Sequence, residues 1–545
     1  MFKKVNFYRL TVFATFFLFF FILWYQAWSY LDPDFGWHLR VGQEIWHNKA
    51  APTAENYNFI LAGKNWIDHE WLLNVITFLL YQKTTYWGVV VFYVLFLNLA
   101  LWLLYYYLNR CLQIKHSFLP FLLLALLGVL ASLPSWGVRM QIFSFLYLII
   151  ELILLAQFQN TRSLRYLVVL PVLFLLWVNT HGSFPLGIFI LFFWLAINGL
   201  GILAAKSRWA KIFKIPPLLD WRSLRWYLGA VLASLLATLL NPYHWWLYKL
   251  LFVDYSNTIY LKYIQEWQSV LSIPISGRQV FYEAIVVTIL ILPFLHRWAA
   301  RKSKNYDGPR LNWWHFWLSG LFLLLAWRSR RHFPLFFLVS LPLAVDFLAQ
   351  LAPFSFANFF KTKQGRWLGG IIVLPLFLVG LLHLVKSVTP SNPFVYFCQT
   401  YPCGAVQFLN QNPSYQDKRL FNRYRWGGFL LWQRPQQKVF IDGRFPQYPY
   451  DGRTILEEYL DFYSASSTLQ ARQLEKHHID LVLGKTKPDS IKLGWIEKYV
   501  LGLKEENFTD LANNLKDYLE SNNQWQEIYR DEVAFIFLKK SQNNE

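Results

Sequence analysis

Charge is scarce in this chain, at 15% of 545 residues, and almost missing from repeated stretches about twenty residues long. Together with 55% hydrophobic and 20% aromatic residues, that scarcity excludes an ordinary soluble domain or a string of them. Cysteines number only three, too few to define a disulfide framework. No internal repeat or low-complexity segment is found, so repeat architecture gives no guide.

What is present is a series of apolar runs at about 10–31, 86–107, 117–133, 140–158, 165–180, 183–204, 223–240, 279–296, 312–327, 333–349 and 367–387. Each approaches or reaches the roughly 17–25 residues that cross a hydrocarbon core. They predict a mainly α, polytopic transmembrane helix bundle of about eleven spans. The first run lacks a small-residue cleavage site and is expected to remain as an anchor.

Lys and Arg set the orientation, because positive loops are retained in the cytoplasm. With Lys3 and Lys4 inside, the loops carrying Arg110/Lys115, Arg162/Arg165, Lys206–Arg225, Arg297–Arg310 and Lys361–Arg366 fall on the same side, with about 21 bases against about 2 acids. The carboxyl terminus is then expected outside. A net charge of +20 follows from this topology and calls for no nucleic acid. The run Trp71–Tyr81 is too short to span comfortably and reads as an interfacial helix on the outer surface; if it crossed, everything downstream would invert.

Residues 1–387 thus form the membrane domain, with a large first external loop over 32–85 and a second, aromatic excursion over about 241–278. Residues 388–545 have soluble composition and read as an extracytoplasmic α/β domain, with strands expected at Lys438–Asp442, Ile479–Leu483 and Val533–Leu538 and helices over 453–476 and 504–521. Cys398 and Cys403 share this domain and could pair in an oxidising compartment, whereas Cys111 sits alone on the cytoplasmic side.

Chemistry-capable residues concentrate where spans leave the membrane on the outer side. Asp32-Pro-Asp34 follows the first run, and a helix beginning near Asp34 would bring His38 onto the same face one turn on. An Asp-Pro turn and helix start is the plainer reading. Asp68-His69-Glu70 precedes Trp71; these acids either satisfy a helix dipole or join Asp34 and His38 in a shared shell, with no zinc spacing present. Arg139 and His181 cap other spans, and Glu266 lies in the second excursion. Arg328, Arg330 and Arg331 stand outside against the charge rule and therefore want an anion; Arg328 and Arg331, at i and i+3, could hold a phosphate between guanidinium forks or merely reach lipid headgroups. In the tail, Trp426 beside Gly427-Gly428, and Asp442-Gly443-Arg444, read as a bend and a strand-ending turn, or else as sugar recognition.

This layout resembles the GT-C membrane glycosyltransferases, the class of protein O-mannosyltransferases and aminoarabinose transferases. Those proteins carry an acidic residue just after span one, then interfacial helices, a bundle and often a terminal external domain. More narrowly, Asp32-Pro-Asp34-Phe-Gly-Trp-His38-Leu-Arg40-Val-Gly42, Trp66-Ile-Asp68-His69-Glu70-Trp71 and Phe440-Ile-Asp442-Gly443-Arg444 look like a bacterial subgroup of membrane proteins. Asp-Pro-Asp replaces the better-known Asp-Glu, so both carboxylates are carried forward.

The resemblance implies inverting transfer of a sugar from a polyprenyl-phosphate donor to a glycan, lipid or protein acceptor, in a bacterial inner membrane. Asp34 would be the base, with Asp32 beside it. Arg328, Arg331, Arg139 and His181 would hold donor phosphate, while His38, His69, Glu70 and Glu266 would orient acceptor or base. Trp426, Asp442 and Arg444 would recognise sugar. A divalent metal is left open. Rival readings are a lipid-linked-saccharide flippase, which should carry polar groups near the bilayer midplane, and a non-catalytic envelope assembly protein.

Overall fold

The computed structural model describes residues 7–204, 219–252, 258–299, 312–351, 392–487, 492–505 and 512–540, with scattered positions between 356 and 385. Among them, six helices are long and apolar enough to cross a membrane: Tyr8–Ser29, Trp71–Cys111, Phe118–Ser135, Ile142–Thr161, Phe184–Leu203 and Arg330–Leu351. Arg165–Thr180 is a shorter apolar helix. Helices Trp221–Ala237, Gly277–Ala299 and Trp313–Arg328 occupy three further runs. The chain is therefore a multi-pass, mainly helical membrane protein. Most of the run over 367–387 and most of the loop at 297–310 lie outside the described residues.

Helix α1 (Phe7–Ser29) ends at the Asp-Pro-Asp segment, and α2 (Phe35–Asn48) starts there. Oδ1 of Asp32 accepts the Asp34 N–H at 2.9 Å, the local turn expected of Asp-Pro, and it directs the chain into α2. Helix α3 (Trp71–Tyr106) is not continuous: Thr85, at φ 60° and ψ −166°, separates the stretch containing Trp71–Tyr81 from the longer one beyond. Lys83, Thr84 and Thr85 are exposed at this break. The remaining helices relevant to the site are α4 (Phe118–Ser132), α5 (Ile142–Thr161), α6 (Arg165–Thr180) and α7 (Phe184–Ala204).

The carboxyl-terminal region carries strands β1 (Leu420–Asn422), β2 (Pro449–Tyr450), β3 (Arg453–Thr454), β4 (Leu481–Lys485), β5 (Trp525–Arg530) and β6 (Ala534–Lys539). The main sheet has the order β1-β4-β6-β5, parallel between β1 and β4 and antiparallel elsewhere, while β2 and β3 form a small hairpin. The strands expected over 479–483 and 533–538 appear one or two residues later in the chain. The helix expected over 453–476 divides into Ile455–Asp461 and Ser467–Lys476, each with its own side-chain cap, Thr454 and Ser466. Of the helix expected over 504–521, Ala512–Ser521 is observed and 506–511 lie outside the described residues.

The strand expected over Lys438–Asp442 is absent, and the reason is local. Val439 bridges Asn58 on one side and Leu420 on the other, but the next peptide groups are taken by asparagine side chains. Asn58 donates to the Phe440 carbonyl at 2.7 Å, and Asn422 both accepts from Phe440 N–H at 2.8 Å and donates to the Ile441 carbonyl at 2.9 Å. Backbone groups satisfied by side chains have no need of a ladder. The same bonds tie the first loop to the carboxyl-terminal region. Cys398 and Cys403 are disulfide-linked, and Cys111 is free and buried.

Gly427-Gly428 is not a bend but the start of the helix Gly427–Gln433, packed on α2. A Cβ on Gly36 would collide with the Gly428 carbonyl, and one on Gly428 with the Pro33 carbonyl. These glycines are needed because two backbones touch there.

Candidate active site

One cavity of about 300 Å³ gathers the polar helix ends. It is lined by the start of α2, by Trp66–Glu70 ahead of α3, by the turns joining α4 to α5 and α6 to α7, by the second excursion, and by the start of the helix Phe333–Leu351. Tyr424 and Gly443–Gln447 of the carboxyl-terminal region close it. Asp32, Asp34, His38, His69, Glu70, Arg139, His181, Glu266, Arg331 and Arg444 all line this space, although they lie far apart in sequence.

A charge ladder runs along one wall. Nε of Arg139 lies 2.5 Å from Oδ2 of Asp32, a charge contact rather than an aligned hydrogen bond. Arg139 also donates to Glu266 at 3.1 Å, and Arg331 donates to the other Glu266 oxygen at 2.5 Å. The Arg331 guanidinium stacks 4.6 Å from the Trp267 ring centroid. Burial alone would raise the Glu266 carboxyl, but the charges of Arg331 and Arg139 hold it down at about 2. Its ionised form is fixed, and it locates both cations.

A second group of lining residues is polar, and among its acids Asp68, raised to about 6 chiefly by burial, is the one largely ionised at neutral pH. His38 shares a 2.6 Å bond with Asn74, which donates at 2.8 Å to Asp68. Glu70 lies 3.3 Å from Nε2 of His181 and 3.9 Å from both His38 and His69. Nδ1 of His181 is 2.9 Å from the hydroxyls of both Ser144 and Ser183. Burial lowers His38 to about 3 and His69 to about 4, and it pushes Glu70 well above the ordinary carboxylate range. At neutral pH these groups offer hydrogen bonds rather than charge.

Asp34 lines the same cavity and is half-buried. Burial first, then the neighbouring Asp32 charge, raise its carboxyl to about 7. A Cβ on Gly443 would collide with its Oδ1, so the carboxyl-terminal region reaches directly over this carboxylate.

Three further expected residues, Trp426, Asp442 and Arg444, are buried. Trp426 is 3% exposed, with its indole N–H on the Thr400 carbonyl at 3.0 Å, so its ring presents no face to a sugar. Asp442 is fully buried, and both its oxygens accept from Arg444. Arg444 also bonds both oxygens of Glu55, at 2.8 and 3.2 Å, with the Trp66 ring 4.7 Å away. This triad is a strut between the first loop and the carboxyl-terminal region. Four guanidinium hydrogen bonds are made within the triad, while Arg444 also lines the cavity.

Arg328 and Arg331 do not share a helix face. The helix Trp313–Arg328 ends there, Ser329 is extended at φ −153°, and Arg331 belongs to the following turn. Arg328 is exposed and outside the cavity lining. Arg330 binds the carbonyls of Ser269, Ser272 and Pro274, pinning the second excursion that carries Glu266.

Asn74 and Glu55 are missing from the residues expected from sequence. Neither a lone Asn inside an apolar helix nor an acid in a loop announces itself by spacing. As for a divalent metal, no group of three or more His, Cys, Asp or Glu among the described residues is arranged to hold one.

No protein-family model matches the chain, and no curated protein matches it. Among solved structures, all of this chain aligns with 75% of the archaeal oligosaccharyltransferase AglB from Archaeoglobus fulgidus in complex with an inhibitory peptide and a dolichol-phosphate, at TM-score 0.52 and 12% identity. The apo form of the Archaeoglobus fulgidus oligosaccharyltransferase matches at TM-score 0.50 and 11% identity, over 99% of this chain and 75% of that one. At such identities the likeness establishes a shared fold.

Proposed function

We propose that this chain is a membrane glycosyltransferase that moves a sugar from a polyprenyl-phosphate donor to an acceptor on the extracytoplasmic face. The reading is carried by Asp34, a carboxylate that burial and the Asp32 charge raise to about 7 and that shares its cavity with the Arg139–Glu266–Arg331 ladder and with His38, His69 and His181. The fold shared with an oligosaccharyltransferase supports it, as does that structure's dolichol-phosphate. The charge bias of the loops supports the side. The cavity-lining polar groups gather at helix ends, which favours transfer over a flippase; Glu151, buried in the middle of α5, lies outside that lining.

In this mechanism ionised Asp34 takes the acceptor proton as the acceptor heteroatom attacks the anomeric carbon. The bond from that carbon to the donor phosphate oxygen breaks, the electron pair leaves with polyprenyl phosphate, and configuration inverts. Arg331, the more exposed cation of the ladder, meets the developing phosphate charge, with Arg139 behind it. Neutral His38, His69, Glu70 and His181 orient acceptor and donor through hydrogen bonds.

Asp34→Asn keeps the shape and removes the base. Transfer of labelled sugar by the purified variant should fall about 10²–10⁴-fold, the usual contribution of a general base, while donor binding stays near normal. Unchanged turnover would sink the assignment.

A further inference from the structure

The carboxyl-terminal region exposes an apolar tip that its own fold leaves uncovered. Around the single helical turn Ile496–Val500, Trp495, Tyr499, Val500 and Leu501 are between 51% and 74% exposed. A contiguous apolar patch of this kind marks a surface that meets something. Its position is fixed by Glu497, a carboxylate 2% exposed that accepts the Ile275 N–H at 2.7 Å. Ile275 lies two residues before the helix Gly277–Ala299, in which Phe281 is 61% exposed. Phe281 follows Gly277 by about 6 Å of helical rise, so the tip stands beside the first turns of a helix that exposes a large aromatic side chain. Trp and Tyr are the residues that sit at headgroup level. Lys492 and Lys504 flank the tip and are exposed.

We infer that Trp495–Leu501 is a lipid-docking element that inserts into the headgroup layer beside the helix Gly277–Ala299, and that its partner is an anionic phospholipid surface. The element seats the carboxyl-terminal region on the bilayer and so keeps Gly443–Gln447 closed over the cavity. Docking does not depend on the transfer chemistry proposed above.

The full-length chain is spin-labelled at Val500→Cys and reconstituted in nanodiscs containing phosphatidylglycerol, with Glu475→Cys as an exposed control on the same region. Collision with oxygen should exceed collision with an aqueous nickel chelate several-fold at position 500, and the order should reverse at 475. A Tyr499→Cys label gives an independent reading. In phosphatidylcholine discs the position-500 label should move toward the aqueous relaxant, and an unchanged depth would overturn the anionic partner. Equal aqueous access at 500 and 475 would overturn the proposal. So would shielding from both relaxants only in discs holding two chains, which would mean a second copy covers the tip.

Discussion

Arg444 and Arg139 are both arginines held between two carboxylates at the same cavity, yet their surroundings differ. The Arg444 cluster is sealed: its side chain is 2% exposed, Glu55 is 1% and Asp442 is 0%. The ladder is open: Arg139 is 14% exposed, Arg331 29% and Glu266 36%. A sealed cluster directs its hydrogen bonds inward, and its value is chiefly geometric, since desolvation consumes most of the Coulomb gain. An open ladder keeps its cations oriented while leaving part of their field directed into the cavity. On the proposed reading, exposure rather than residue type separates scaffold from chemistry.

The largest expected effect that tests this comparison is on the sealed side. Arg444→Ala leaves Glu55 and Asp442 buried without their cation, and should cost about 3–5 kcal/mol of stability. Thermal unfolding in detergent should show a large drop in Tm and loss of the seated carboxyl-terminal region. A stable variant impaired only in transfer would instead place Arg444 among the working residues. On the open side the expected pattern is reversed. Arg331→Ala should weaken donor binding and transfer by an amount equal to about 1.5–3 kcal/mol, with Tm nearly unchanged. An equal loss of stability and activity would erase the distinction.

Proton chemistry sharpens the same contrast. Asp34 must be ionised to act as base, so transfer should rise with pH and reach half its plateau near 7. Asp32 raises the Asp34 carboxyl and Arg139 lowers it. Asp32→Asn removes the first influence and frees Arg139 from its partner, and both changes lower the Asp34 pKa. The pH–rate profile of that variant should therefore shift toward acid. A profile that stays at 7 or moves toward base would show that Asp34 is not the titrating group.

How much of this was legible in the sequence depends on the range of the interaction. Span-length apolar runs and the Asp32–Gly42 and Trp66–Trp71 clusters are local patterns, and the helices and cavity-lining residues follow them. The Arg444–Glu55 strut joins residues 389 positions apart, so nothing local distinguishes it from a turn that could read sugars. The missing strand at 438–442 has the same origin, because Asn58 and Asn422 intervene from elsewhere in the chain. Likewise, a helix reading treats Arg328 and Arg331 as neighbours, since the break at Ser329 is made by tertiary bonds from Arg330 N–H to the Gln268 carbonyl and from the Ser329 hydroxyl to Glu266.

That break supplies the smallest prediction and a strict control on the others. Arg328 and Arg331 share charge, side-chain length and neighbourhood in the sequence, but only Arg331 reaches Glu266 and the cavity. If cation count at this end of the bundle were what binds the donor, Arg328→Ala and Arg331→Ala would weaken it equally. If placement is what matters, Arg328→Ala should leave donor affinity, transfer and Tm within about 0.5 kcal/mol of the parent, as for other surface substitutions. Titration of both variants with the same polyprenyl-phosphate sugar separates the two accounts. Equal weakening would return Arg328 to the donor site, and it would mean that the segment following the helix Trp313–Arg328 rearranges when lipid is bound.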